Sequence, residues 1–348
     1  MVLFGPQRIL GIDIGTSAIK IVELSEGSEK IRLENYGEFQ NRYLYNKPFR
    51  EFKKQTLLLS TEDIAAVIVS ILEEAKIKTK AANFSLPDFS SFFTNFTLPL
   101  MSSEELNQAI NFEARRYVPL PVSEMALDWV TLKDPGDEKK VKVLLVAIPK
   151  RVVAQYQEIA SLAKLNLKNL EAETFSLVRS LLDKEKGIFA LIDIGAQSTT
   201  LSIVEDGALK ISHSFNLAAN LLTQKLSEEL GIDFETAEKL KLKYGLLKEG
   251  GVVADVLHLV LDSAIIEIKR IIDFYQKNEG KIVEKVILAG GFAALRGFSE
   301  YLSAFLKKPV EIGNPFRQIL YPPVLEGFLK ELGPSFSIAV GVALGHFK

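Results

Sequence analysis

Apolar and polar residues alternate with a period of two over 9–14, 18–24 and 30–36, the mark of half-buried strands. The period changes after Thr61, a candidate helix N-cap, where Ile64, Val67, Ile68, Ile71 and Leu72 recur at helical spacing over 62–75. Further strands are predicted at 83–86 and 92–98. Ser102 and Glu105 then form a capping-box pattern, and Leu106, Ala109, Ile110, Glu113 and Tyr117 share a helix stripe that stops before Pro119. A hairpin over 126–132 and 141–148 follows, its charged loop KDPGDEKK read as solvated surface. Helices are expected at 151–164, within 169–182 as a crossing between lobes, and at 216–230 and 234–244. A long helix over 255–277 is apolar on more than one face, which implies burial between layers. Strand 285–289, a Gly-Gly turn, helix 294–306 and a small-residue helix over 335–344 complete the pattern.

One segment occurs twice. LGIDIGTSAIKIVEL at 10–24 returns in weakened form as ALIDIGAQSTTLSIV at 190–204, with Asp-Ile-Gly at matching points. Each copy reads as strand, sharp turn and strand, so two similar halves present small-residue hairpins to one shared polyphosphate.

The 348 residues suffice for two domains or one bilobal unit. With 47% hydrophobic residues, 25% charged and a net charge of −2, the composition is that of an ordinary folded protein and gives no support to nucleic-acid binding. The absence of cysteine excludes disulfides, thiolate zinc sites and cysteine nucleophiles. His213, His258 and His346 have no ligand-like spacing and read as incidental. The leading MVLFGPQR has no sustained apolar segment, so it is expected to be neither signal peptide nor anchor. The chain reads as cytoplasmic, with any membrane role exerted through a partner.

In the first hairpin Gly15 lets backbone approach phosphate oxygens, Thr16 and Ser17 offer N–H and hydroxyl donors, and Lys20 supplies a point charge. Asp13 repels phosphate but suits a hydrated Mg2+, which needs only one or two carboxylates. Asp193 and Gly195 repeat the arrangement. A single Asp-Ile-Gly is equally a strand-ending turn; the pairing is what points to a shared cation. Gly290 and Gly291, after an apolar strand, let the chain pass close to a base or ribose.

In their order these motifs resemble the phosphate-one, phosphate-two and adenosine motifs of the actin, sugar-kinase and heat-shock-chaperone ATPase superfamily. EARRYVPLPVSEMALDWVTL resembles the small SHS2-type subdomain shared by FtsA and the PilM family of type IV pilus assembly, and the chain is most similar to the PilM family, including NPF at 314–316. The resemblance implies an α/β, bilobal actin-like fold, a duplicated ribonuclease H-like unit with an inserted SHS2-type α+β subdomain. It implies a first lobe at 1–80, completed by about 171–187 and 315–348, an insert at 81–170, and a second lobe at 188–314 with a helical part at about 232–282. Asp13, Gly15, Thr16, Ser17 and Lys20 then match phosphate-one, Asp193 and Gly195 phosphate-two, and Gly290 and Gly291 the adenosine motif, with ATP and Mg2+ as cofactors. Glu173 falls where FtsA-like proteins carry an acid near the attacking water; it is equally an exposed charge at a helix start. Lys269 and Arg270 match nucleoside contacts or, equally, a solvated helix face. Ala218 and Ala219 stand where relatives place Gly-Gly, which puts hydrolysis in doubt more than binding.

The implied function is an ATP-binding scaffold of pilus assembly, at most a slow ATPase, with the cytoplasmic N-terminal peptide of PilN and other pilus assembly proteins as partners, docking in a groove between first lobe and insert. Self-association is left open by the fold. Two alternatives stay open: an FtsA-like division filament, disfavoured by the apolar closing GVALGHFK, and a small-molecule kinase, which needs a base beyond Glu173.

Overall fold

The computed structural model describes residues 7–27, 30–40, 50–51, 56–57, 59–118, 120–133, 139–216 and 218–347. Most of the KDPGDEKK loop and the first six residues therefore lie outside the described residues.

In chain order the elements are β1 (Arg8–Ile14), β2 (Ala18–Glu26), β3 (Ile31–Gln40), the two-residue strands β4 (Arg50–Glu51) and β5 (Thr56–Leu57), α1 (Thr61–Glu74) and β6 (Ala81–Leu86). Then come β7 (Phe92–Pro99), α2 (Ser103–Ala114), β8 (Met125–Lys133), β9 (Lys140–Pro149), α3 (Lys150–Leu162), β10 (Asn166–Ala172) and α4 (Glu173–Leu181). The second half holds β11 (Ile188–Ile194), β12 (Thr199–Glu205), β13 (Ala208–Phe215), α5 (Ala219–Leu230), α6 (Phe234–Tyr244), α7 (Val252–Glu279), β14 (Lys285–Ala289), α8 (Phe298–Leu306), β15 (Val310–Ile312), α9 (Glu326–Leu332) and α10 (Ser337–Leu344).

The sequence repeat becomes a repeat of topology. One five-stranded sheet runs β10-β6-β1-β2-β3 and the other, read in the same sense, β15-β14-β11-β12-β13. In both, the repeat's two strands pair antiparallel and the strand on the other flank of the first pairs parallel. Because β1 and β11 are central and covered on both faces, their residues are apolar almost without a break.

Alternation sorts those residues. Leu10, Ile12 and Ile14 join the core beneath α1 and α3, while Ile9 packs with Ala339, Val340 and Ala343 of α10. In the second sheet Ala190, Ile192 and Ile194 join the core with α5 and α7, while Phe189 and Leu191 pack with Leu177 and Leu181 of α4. The rows Ile9–Gly11–Asp13 and Phe189–Leu191–Asp193 thus face the helix pair α4 and α10, whose small residues permit a tight crossing. A Cβ on Gly341 would sit 1.9 Å from the Ser176 carbonyl oxygen, and one on Gly11 would sit 2.0 Å from that of Ala339. Arg179 ties the pair, donating to the Gly341 carbonyl at 2.7 Å and to both carboxylate oxygens of Glu171.

The insert is narrower than the expected 81–170. Its own sheet, β7-β9-β8, spans 92–149. β6 pairs in parallel with β1, β10 with β6, and Val152, Tyr156 and Ile159 of α3 share the core with α1, so these elements belong to the first lobe. β9 explains the attachment: Val141, Val143 and Leu145 pack beneath α2, while Val146 and Ile148 enter the first-lobe core and Leu144 meets α4.

Some boundaries differ from expectation. Ser60, not Thr61, caps α1, its Oγ accepting the Asp63 N–H at 3.1 Å. The capping box of Ser102 and Glu105 forms as expected, but α2 ends at Ala114 because the Arg116 and Tyr117 amides tighten onto carbonyls three residues back. α5 begins at Ala219 and α8 at Phe298, the latter after a run of turns ended by left-handed Gly297. Among the described residues one apolar stretch, Pro323–Phe347, has the length and composition to cross a membrane; 61% of its apolar 18-residue window is buried, and in α10 every residue but Leu344 is buried.

Candidate functional site

Asp13 and Asp193 end matching rows at the carboxyl ends of the central strands, the edge where α/β sheets bind ligands. Asp13 is 4% exposed, and its Oδ1 accepts a hydrogen bond from Ser85 Oγ at 3.0 Å. The turns that follow are equivalent: the Gly15 N–H donates to the Ala18 carbonyl and the Gly195 N–H to the Ser198 carbonyl, each at 2.9 Å. Two residues form each tip, Thr16 and Ser17 in one and Ala196 and Gln197 in the other, so only the first tip carries hydroxyls. Lys20 stands across from Asp13 in the β1–β2 register, its Nζ 3.8 Å from Glu38 Oε1.

Gly290 is brought beside Asp193. Its φ is +84°, and a Cβ there would lie 2.4 Å from the Ile194 carbonyl oxygen and 2.6 Å from Asp193 Oδ1. The bare backbone is a cradle that only glycine leaves open beside Asp193. A Cβ on Gly291 would meet nothing within 4 Å.

Ala218 and Ala219 occupy the start of α5. Ala218 has φ −161°, an extended backbone open to any residue. The first amides of α5 are already engaged, Ala219 N–H with the Gly195 carbonyl at 3.1 Å and Asn220 N–H with that of Ala196 at 3.0 Å. These donors bind the second hairpin rather than facing outward to an anion.

Glu173 is buried at the start of α4, so the expectation of an exposed charge is corrected. The reason is Asp88, a residue the sequence reading missed. The Asp88 N–H donates to Glu173 Oε2 at 3.1 Å, while Asp88 accepts from the Thr174 N–H at 3.1 Å and from Thr174 Oγ1 at 2.6 Å. Thr174 Oγ1 also lies 3.2 Å from Ser202 Oγ and 3.3 Å from Ser212 Oγ, linking α4 to the second sheet. Burial, then the charges of Glu173 and Asp193, push the Asp88 carboxyl well above the usual carboxylate range.

Lys269 and Arg270 are not brought to the hairpins by any described hydrogen bond. They lie exposed on α7, Lys269 paired with Asp273 and Arg270 donating to Glu267 at 2.6 and 2.8 Å. Lys269 also lies within electrostatic reach of Lys308, whose Nζ bonds the Val283 carbonyl just before β14, the end of that strand opposite Gly290.

No group of three metal-ligating side chains occurs among the described residues. Two carboxylates at the ends of facing rows, with the Gly290 cradle beside one, fit a hydrated Mg2+ and polyphosphate better than a fully ligated metal. A cleft of about 360 Å³ lies elsewhere, between insert and second sheet, lined by Phe93, Tyr117, Ser212 and His213 among others; Asp88 borders it, but Asp13, Asp193 and Gly290 do not.

A family model described as type IV pilus assembly protein PilM matches residues 11–347. The structure is similar to one from the PilM-PilN type IV pilus biogenesis complex, with a TM-score of 0.86 and 25% identity over 98% of each chain. It shares its fold with MreB 5 of Spiroplasma citri bound to AMPPNP, with a TM-score of 0.56 and 12% identity over 97% of this chain and 95% of that one. The cell division protein FtsA of Enterococcus faecalis is 24% identical over 258 residues, 68% of this chain and 58% of that protein. The chain thus spans little more than half the length of that relative. The fold is the bilobal actin-like one that the resemblance implied.

Proposed function

The chain belongs to the PilM family of type IV pilus assembly proteins, and on that premise we propose that it is a cytoplasmic scaffold which holds Mg–ATP between its lobes and grips the cytoplasmic N-terminal peptide of a PilN protein, meeting the membrane only through such partners. The observation that carries the partner is the likeness, over 98% of both chains, to a structure solved from a PilM-PilN complex. An extended peptide would dock by strand addition or alternate side-chain pockets.

Asp13 and Asp193 would hold the hydrated cation, with Gly15, Thr16, Ser17 and Lys20 on one side of the phosphates, Gly195 on the other, and Gly290 and Gly291 beneath the nucleoside. Mg2+ would neutralise phosphate charge there. The rest falls to the chain: Ser85 orients Asp13, and the engaged amides of α5 fix the second hairpin. Those amides are not free for a phosphate and Glu173 is occupied by Asp88, which supports at most slow turnover.

Calorimetric titration with a synthetic PilN N-terminal peptide tests the reading. Saturable binding that a scrambled peptide does not reproduce is expected; no heat with the native peptide at high concentration would overturn the partner assignment.

A further inference from the structure

Two sheets turn open edges toward one another. β7 is the outer strand of the insert's sheet and β13 the outer strand of the second lobe's. Phe92, Phe93 and Thr94 line the cleft of about 360 Å³ with Ser212, His213 and Ser214. A second cleft of about 290 Å³ sets Phe93, Thr94 and Asn95 beside residues 209–212, so the two edges run antiparallel. Among the described residues no backbone hydrogen bond joins them. A side chain spans the gap instead, Asn95 Nδ2 donating to the Lys210 carbonyl at 2.8 Å.

Side-chain faces already match across this seam. Phe93 and Asn95 stand in register with Val146 and Leu144 of β9, on the face turned to the first-lobe core and α4. Leu209 packs with Leu177 and Leu181 of α4 in the same cluster as Leu144, and Ser212 Oγ lies 3.3 Å from Thr174 Oγ1 on that helix. Ile211 turns the other way, into the core with α5 and α7. Setting Asn95 opposite Lys210 therefore sets Phe93 opposite Ser212, both toward α4, and Thr94 opposite Ile211, both away from it. Lys210 is an extra residue in β13, between Leu209 paired with Val204 and Ile211 paired with Ile203, and such a bulge terminates pairing at that end.

Spacing decides what the seam can do. Cα atoms of the two strands come within 8 Å of each other. A strand slotted between two others needs about 9.5 Å from one neighbour to the next, whereas directly paired residues stand about 4.5–5.5 Å apart. The gap is too narrow to admit a further strand and needs only a small movement to shut. We propose that the seam is a latch, closing by antiparallel pairing of 92–95 with 210–213 and so joining the three-stranded and five-stranded sheets into one. Because β9 roots the insert in the first-lobe core, closure clasps the two lobes together along this side, and the structure shows the latch open. Four residues on each strand make a short ladder, which opens at lower cost than the sheets it joins. The inference uses neither the cation site nor the peptide, and fails or stands independently of them.

The chain has no cysteine, so introduced pairs report closure without background. Thr94→Cys with Ile211→Cys sets two thiols directly across the closed ladder, and Phe92→Cys with His213→Cys does so two residues along. Thr94→Cys with His213→Cys lies one step out of register on the same face. Oxidation of the full chain, with circular dichroism confirming each variant's fold, should form the disulfide about tenfold or more faster in either in-register pair than in the offset pair. Hydrogen exchange read by mass spectrometry should then be about tenfold or more slower over 92–95 and 210–213 in the oxidised Thr94→Cys/Ile211→Cys protein than in its reduced form. Should that variant fail to fold, Phe92→Cys/His213→Cys carries both readouts. Equal or inverted oxidation rates, no disulfide in any pair, or a disulfide that leaves exchange along both edges unchanged would each overturn the proposal.

Discussion

Asp88 and Glu173 each accept a backbone amide across one joint, Glu173 that of Asp88 and Asp88 that of the residue after Glu173. Asp88 also accepts the hydroxyl of Thr174, and the two carboxyls share a buried site. Asp88 follows β6 and precedes β7, so this joint fastens the junction of first lobe and insert to the start of α4. The Thr174 hydroxyl extends it to Ser202 and Ser212 on the second sheet.

The raised Asp88 pKa has a signed consequence. Above the ordinary carboxyl value of 3.8 the unfolded chain has released this proton while the folded chain keeps it, so stability falls as pH rises from there toward the raised folded value. Asp88→Asn keeps an acceptor for the Thr174 amide and removes the titration. Chemical denaturation from pH 4 to 8 should show a flatter pH dependence in the variant, with no loss of stability at pH 8.

Gly290 and Gly291 should separate in their response to alanine. Gly290→Ala forces a left-handed residue and a contact with the Ile194 carbonyl, at a cost of more than about 2 kcal/mol. Gly291→Ala opens on free space and should stay within about 0.5 kcal/mol of wild type. Equal melting temperatures for the two variants would contradict the cradle beside Asp193.

Buried Lys241 joins α6 to α5. Its Nζ donates to Thr223 Oγ1 at 2.8 Å and to Glu238 Oε2 at 2.6 Å, and burial lowers its pKa despite Glu238. Lys241→Ala leaves these partners without their cation and should cost about 3–5 kcal/mol in denaturant melts. Lys241→Met, which retains the apolar stem, should recover part of the loss.

The crossing of α4 and α10 should tolerate no side chain at Gly341. Alanine there would place its Cβ on the Ser176 backbone, and the crossing would have to open. We expect Gly341→Ala to fail to fold at 37 °C, measured by recovery of soluble protein and by circular dichroism.

Much of the fold was legible because the signal was local. The apolar runs leading into the two Asp-Ile-Gly copies marked the central strands, and helical spacing from Ile64 to Leu72 marked α1. What escaped depended on distant partners. β10 carries Asn166, Lys168, Asn169 and Glu171, polar enough to hide a strand that only the edge of β6 reveals. Asp88 sits in LPDFSS, which reads as a turn, and gains its role only when Thr174 is folded against it. Lys241 lies among helix-surface lysines in sequence and is set apart only by burial. The insert's limits were overdrawn because β6 and α3, adjacent to it in sequence, pack with β1 and α1 instead.

The central claim is that Asp13 and Asp193 serve one cation from facing sheets. Titrating a fluorescent ATP analogue with and without Mg2+ into wild type, Asp13→Ala and Asp193→Ala tests it most directly. The account predicts saturable Mg2+-dependent binding in wild type that falls at least tenfold in each variant, while the Mg2+-independent remainder and the melting temperature change little. Undiminished Mg2+-dependent binding in both variants, or none in the wild type, would contradict it.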